Sequence, residues 1–267
     1  MAADIKSLRT RIKSVDSTLH LTKAMGLVAS SKIRRASESM NKGKAYAEAV
    51  SEIVDVLTQS SECEKSPFMA KREAKKWRII VVAGDRGLAG GYNANVFRLA
   101  KTFENAEFIP VGKRACDRYG EGFMSAEYFT GSDASNLAAS LCDDFANGKF
   151  DKLSIIGTKY ISMMSQEAYI RDILPLERSE NKKSVSMLFE PDEITILNGA
   201  VREYVGGVIA AVVRESFASE VAARRCAMDS AGKNAQEMID DLQLAYNRAR
   251  QDAITQELTE IVAGSGV

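Results

Sequence analysis

The stretch "IKSLRTRIKSVDSTLHLTKAMGLVASSKI", Ile5 to Ile33, decides the fold. Alternate steps of three and four from Ile5 meet Leu8, Ile12, Val15, Leu19, Thr22, Gly26, Ala29 and Ile33. The same step continues through Ala36, Met40, Gly43, Ala47, Val50, Val54 and Leu57. Only Thr22, Gly26 and Gly43 are not apolar. A period of 3.5 held over ~7 heptads draws one narrow seam along a helix and calls for a partner wound left-handedly about it. A helix resting on a globular core would drift toward 3.6. Residues 1–59 are therefore expected to form a coiled-coil helix.

The other end of the chain repeats the pattern. From Met228 the steps give Ala231, Ala235, Met238, Leu242, Ala245 and Ala249. A second coiled-coil helix is expected over 198–264, closed by Gly264 and Gly266. The prolines, Pro67, Pro110, Pro175 and Pro191, all lie between the arms, so neither arm is interrupted. Both seams are rich in small residues, which lets helices approach closely. Arms of similar length at opposite ends of one chain, with a domain between them, pair most simply as an antiparallel coiled coil.

The middle, 77–192, reads as a Rossmann-like α/β domain. "RIIVVA" is a buried strand, "YNANVFRLAKTF" a helix, "AEFIPVG" a strand, "KRACDRYG" a short helix, "ASNLAASLCDDFANG" a helix and "DKLSIIGTKYIS" a strand. "EAYIRDILPL" reads as an edge strand because of Pro175. Residues 60–76 form a charged connection and 177–192 a polar one.

Within that domain "VVAGDRGLAGGYNANV" resembles a phosphate cradle. Its parts do not fit one. A Walker loop needs a lysine and a hydroxyl after its last glycine, and here Tyr92 and Asn93 follow Gly91. The spacing of Gly84, Gly87 and Gly90 is not GxGxxG, and neither Glu104 nor Glu107 ends a second strand as a ribose partner would. Gly84, Gly87, Gly90 and Gly91 are read instead as a structural glycine turn between strand and helix. A nucleotide-binding α/β protein with a coiled-coil arm remains the alternative on the residues alone, as does a coiled-coil scaffold or nucleic-acid-binding rod.

Composition narrows the classes further. The 267 residues carry 36 Lys and Arg against 36 Asp and Glu, so total charge names no partner, and 45% apolar content suffices for a core. Local charge does speak: residues 6–44 hold ten Lys and Arg against Asp16 and Glu38. With almost no aromatics interleaved, this arm is poorly suited to single-stranded nucleic acid. One histidine, His20, makes His-based catalysis or metal binding improbable as a function class. Cys63, Cys116, Cys142 and Cys226 have neither zinc nor disulfide spacing and read as free thiols. No uninterrupted apolar run approaches ~18 residues, and the N-terminus has no signal-peptide core.

Three stretches together resemble one family: "LTKAMGLVASSKIRRA" (21–36), "GDRGLAGGYNANV" (84–96) and "LAYNRARQDAITQELTEIVAG" (244–264). In order and spacing they are similar to the γ subunit of F-type ATP synthase. The absence of the cysteine pair of the plant-type redox insertion makes the likeness one to the bacterial type. The resemblance implies an axle: terminal helices paired inside a ring of three α and three β subunits, and an α/β domain outside it that meets the ε subunit and the c-subunit ring. It implies no catalytic residue, no cofactor and no metal on this chain, and a glycine loop that binds no nucleotide. It also implies contacts to the α/β ring at Lys23, Met25, Arg34, Arg35, Arg250, Gln251 and Thr255, with Leu258, Ile261 and Val262 as an apolar bearing. The expected location is peripheral, on the cytoplasmic face of the inner membrane.

Overall fold

Helices α1 (Ala2–Leu57) and α5 (Glu193–Gly264) occupy the two ends of the chain. Between them lie β1 (Trp77–Val82), α2 (Tyr92–Ala100), β2 (Glu107–Val111), α3 (Lys113–Tyr119), α4 (Gly131–Ala146), β3 (Lys152–Tyr160) and β4 (Gln166–Leu174). This computed structural model describes residues 2–70, 72–73, 75–103, 105–178 and 189–264. Glu104, Gly266 and most of the 177–192 connection lie outside the described residues. Contacts group the chain into two compact units: Ser31–Arg224, and the segments up to Ser30 and from Arg225 on.

In the smaller unit the two terminal segments pair antiparallel. Leu19 clusters with Ala235, Ile239 and the half-buried Val15. A Cβ placed on Gly26 would lie 3.6 Å from the Cβ of Met228, and one on Gly232 would lie 3.6 Å from the Thr22 hydroxyl. Every described α1 position in the 3-4 series is buried or half-buried, from Ile5 to Leu57. The α5 seam keeps the period but shifts phase. Gly232, Ile239 and Tyr246 face inward, while Met238 is 43% exposed and Ala245 is exposed. The steps after Met228 therefore run four-three, not three-four. Gly232 explains the choice, because it leaves room for Leu19 and Thr22 where the larger seam residues of α1 arrive.

This register makes a sharp prediction. With the native cysteines replaced, Gly26→Cys and Met228→Cys should form a disulfide within one chain, since their Cβ separation falls in the range a disulfide spans. Non-reducing gels should show a monomer of altered mobility. A pair placed at Ile12 and Leu258 should stay reduced, because the register sets Ile12 beside the Leu242 region. Only interchain dimers at 26/228 would reject the antiparallel pairing. Extending the same register to Ala2 reaches α5 at Asp252, so α5 runs on past the described start of α1. Its side chains from Ile254 onward are all exposed.

In the larger unit a four-stranded sheet has the order β2-β1-β3-β4. β1 pairs parallel with β2 and β3, and β4 returns antiparallel at the edge, as Pro175 implied. Side chains alternate across the sheet. Ile79, Val81 and Ala83 pack on Val96, Ala100 and Ala115 of α2 and α3. Ile80 and Val82 face the opposite layer, where the end of α1 (Val54, Leu57), α4 (Ala138, Leu141, Phe145) and α5 (Val201, Val205, Val208, Val212) form the main core. One helix among the described residues, α5, is long and apolar enough to cross a membrane by length and composition, but 61% of its apolar window is buried within the protein.

α5 starts earlier than the expected 198. After Pro191, the Asp192 carboxylate accepts hydrogen bonds from the Thr195 N–H (2.8 Å) and the Thr195 hydroxyl (2.7 Å). These bonds hold its carboxyl below the usual range. An aspartate in that place satisfies donors that the first helical turn leaves open, so the helix can begin at Glu193.

Candidate functional site

The glycine turn sits at the carboxyl end of β1, beside the carboxyl end of β3. Strand order reverses between these two strands, where open α/β sheets hold ligands. In this chain the crevice is filled by α5. The Glu220 carboxylate reaches Gly84 so closely that a Cβ there would lie 2.7 Å from its carboxyl carbon. Glu220, almost inaccessible, pairs with the half-buried Arg224. Burial pushes the Glu220 carboxyl up, partly offset by the Arg224 charge. Arg224 also donates to the carbonyls of Arg86 and Gly87, both at 3.4 Å. The turn is tied from within as well: the Gly84 N–H donates to Asn93 Oδ1 (2.9 Å), and Asn93 Nδ2 to the Arg86 carbonyl (3.3 Å). Asp85 accepts from the backbone N–H groups of Ala126 (2.8 Å), Glu127 (3.3 Å) and Lys113 (3.3 Å).

The four glycines do different things. Gly84 admits Glu220, and Gly90 has φ +58°. Gly87 and Gly91 have ordinary room for a side chain. Leu88 has φ +62° and is 66% exposed. A phosphate brought to this turn would face the Glu220 carboxylate in place of free N–H donors. Titrating the chain with Mg-ATP should therefore give no saturable heat. A one-to-one isotherm lost in Gly87→Val, with the fold intact, would reverse this reading.

The remaining sequence-derived residues lie on the two long helices. Lys23 is exposed and Met25 half-buried. Lys23 lines a groove of about 490 Å³ with Gly26, Leu27, Arg225, Met228 and Gly232. Arg34 and Arg35 are exposed, and Arg34 pairs with Glu38 at 3.0 Å one turn on. Near the end of α5, Arg250, Gln251 and Thr255 are exposed, as are Leu258 (57%), Ile261 (66%) and Val262 (70%). At 100° per residue these six positions, together with Ile254, fall within roughly 140° of one helix face. The seam residues Leu242, Tyr246, Ala249 and Ala253 fall on the other side. The structure thus gathers the late set into one polar-flanked apolar stripe. Lys23 and Met25 belong to one compact unit, Arg34 and Arg35 to the other.

His20 is exposed beside Asp16 at 3.8 Å. Cys63, Cys116 and Cys142 are buried free thiols, and burial pushes the Cys142 thiol up to about 12, so it is inert at neutral pH. Among the described residues no group of three His, Cys, Asp or Glu side chains converges as a metal site would require.

Sequence reasoning missed the polar group on α5: Glu215, Ser216, Ser219, Glu220 and Arg224. Their signal was present. The buried positions Val201, Val205, Val208 and Val212 continue at three-four spacing into Ser216, Ser219 and Glu220, so the core face of the helix turns polar without turning outward.

The family model described as ATP synthase matches residues 4–266. An ATP synthase gamma chain from Ruminococcus albus is 39% identical, with 98% of each chain covered. A gamma chain described as sodium ion specific, from Acetobacterium woodii, is 38% identical over 99% of each. Among solved structures, a chain of the Euglena gracilis mitochondrial ATP synthase OSCP/F1/c-ring assembly superposes with a TM-score of 0.67 at 19% identity, covering 100% of this chain and 97% of that one. A chain of the central stalk/c-ring of Tetrahymena thermophila mitochondrial ATP synthase gives 0.64 at 20% identity, over 79% and 99%. These two share the fold. Identity above a third across nearly the full length of curated relatives goes further: the chain belongs to the ATP synthase gamma chain family.

Proposed function

We propose that the paired terminal helices are the axle turning inside a ring of three α and three β subunits, and that the α/β domain is the foot meeting the ε subunit and the c-subunit ring. A gamma chain is the stalk subunit of ATP synthase: it couples ion-driven rotation to ATP synthesis and hydrolysis, and the chemistry takes place on β subunits. Through that complex it is membrane-associated. Our finer reading places it on the cytoplasmic face of the inner membrane.

One observation carries the reading: the seam positions of α1 from Ile5 to Leu57 are all buried or half-buried, while most of its other positions are exposed. A shaft alters its surroundings only if its faces differ, since a partner's open and closed states must feel different contact energies. The faces here do differ. Residues 6–44 of α1 are basic outside the seam, and the last turns of α5 present an apolar stripe edged by Arg250, Gln251 and Thr255. Lys23, Met25, Arg34 and Arg35 are assigned to acidic loops of β subunits, Arg250, Gln251 and Thr255 to loops higher in the ring, and Leu258, Ile261 and Val262 to an apolar bearing at its top. Co-expression with α and β subunits of the family tests this. The expected result is a purified complex with ATPase activity that needs this chain for assembly. Recovery of the chain free of α and β would refute it.

A further inference from the structure

β3 is longer than its neighbour on one side. β1 pairs with it only as far as Ile156, while β3 continues to Tyr160. The backbone of that overhang is buried at Thr158 and needs partners. α5 supplies them from side chains. Ser216 Oγ accepts the Thr158 N–H (2.9 Å), Ser219 Oγ donates to the Thr158 carbonyl (3.2 Å), and Glu215 Oε1 accepts the Tyr160 N–H (3.0 Å). Glu215 also takes Lys44 of α1 at 2.7 Å, so three elements meet on one carboxylate. From the β1 side, the Tyr92 hydroxyl donates to the Ser216 carbonyl (2.9 Å), and Arg224 holds two carbonyls of the glycine turn. Gly84 and Gly157 are the notches that let α5 come this near: a Cβ on Gly157 would lie 2.4 Å from Val212 Cγ1 and 2.9 Å from Ser216 Oγ.

A helix packed on a sheet by apolar contact alone can roll or slide at little cost, because that attraction has no direction. Hydrogen bonds fail steeply with angle, and buried ones leave unsatisfied groups behind when they break. We propose that Glu215, Ser216, Ser219, Glu220 and Arg224 form a polar splice that fixes α5 to the sheet against rotation, so that torque passes between the α/β domain and the helix through these positioning residues. The splice lies in the crevice where related folds hold a ligand, and the chain's own helix takes the ligand's place. This role rests on the rotor reading above.

The test uses the full chain in the assembled complex, reconstituted in vesicles, with ATPase turnover and ATP-driven uptake of protons and of sodium measured together. Ser216→Ala with Ser219→Ala removes both bonds to Thr158 while keeping the apolar contacts. Without an opposing gradient its ATPase should stay within about twofold of wild type. Each bond lost raises a slipped population about fivefold. The ion gradient reached before uptake stops should therefore fall about fivefold or more, with hydrolysis continuing. Val212→Ala is the control: it thins the same interface without touching a bond, and should lower thermal stability but not the final gradient. Ser219→Thr keeps the hydroxyl and should pump normally. If the double variant fails to assemble, Ser219→Ala alone carries the same prediction at a smaller size. A wild-type gradient in the serine variants, or an equal loss in Val212→Ala, overturns the splice. A wild-type chain that does not join α and β removes the rotor reading, and the splice role with it.

Discussion

Gly112→Ala should unfold the α/β domain. Gly112 has φ +95°, a conformation hostile to any side chain, and an added Cβ would lie 2.0 Å from the Ala83 carbonyl oxygen. That oxygen belongs to backbone that cannot give way: the Ala83 N–H bonds to the Val111 carbonyl (2.9 Å), and the Gly112 N–H to the Phe123 carbonyl (2.7 Å). Loss of more than ~4 kcal/mol is expected, the size reserved for clashes that the core cannot absorb. Urea unfolding followed by the fluorescence of Trp77, the sole tryptophan, reads it directly, since that ring meets Phe103 edge-on and donates to the Ser154 hydroxyl within the domain. Gly120→Ala is the control that separates clash from strain. Its φ is +100°, but nothing lies within 4 Å of the new atom, so it should cost only about 1–3 kcal/mol of backbone strain. Equal losses at both positions would show that the close approach to Ala83 does not matter.

Arg250→Ala with Gln251→Ala should act the opposite way, sparing the fold and striking the complex. Both residues are exposed on α5, beyond the stretch that packs on the sheet. The isolated chain should therefore melt as before, within about 1 kcal/mol. A charge-assisted bond to a carboxylate across an interface is worth about 1.5–3 kcal/mol, so assembly or ATPase turnover of the complex should drop by one to two orders of magnitude. Thr255→Ala should move in the same direction by less, as a neutral hydroxyl makes the weaker bond. Full assembly with normal turnover in the double variant would mean that shape alone transmits rotation and that these side chains do not take part.

Much of this architecture was legible before any coordinates. A period of 3.5 is a geometric instruction, so the seam residues of α1 could be named one by one. The seam of α5 could not, because Ala231, Ala235, Ala245 and Ala249 let either phase look apolar. The phase was settled by a fact about the partner, the space that Gly232 leaves for Leu19 and Thr22. The start of α5 was readable in principle from Pro191 followed by Asp192 and Thr195, but the 177–192 stretch looked uniformly polar. Of the proposed contact surface, the sequence offered the exposed residues, which carry a motif. The splice was legible only as buried valine spacing that runs on into Ser216, Ser219 and Glu220, and what those side chains bond to emerges once β3 is seen to outrun β1. The role of polar side chains that serve a strand's unpaired backbone depends on where the neighbouring strand ends, which the spacing does not carry.

The exposed end of α5 bears on the life of the chain before assembly. Helix nucleation is already achieved by the long segment behind it, so the exposed residues from Ile254 onward need only propagate, at close to zero net gain per residue in water. A terminus held that weakly opens often, and each opening offers Leu258 and Ile261 to a protease. In the assembly proposed above, the same turns would be covered by the ring. Limited proteolysis is therefore expected to cut the free chain there first, and to spare that end in an assembled complex.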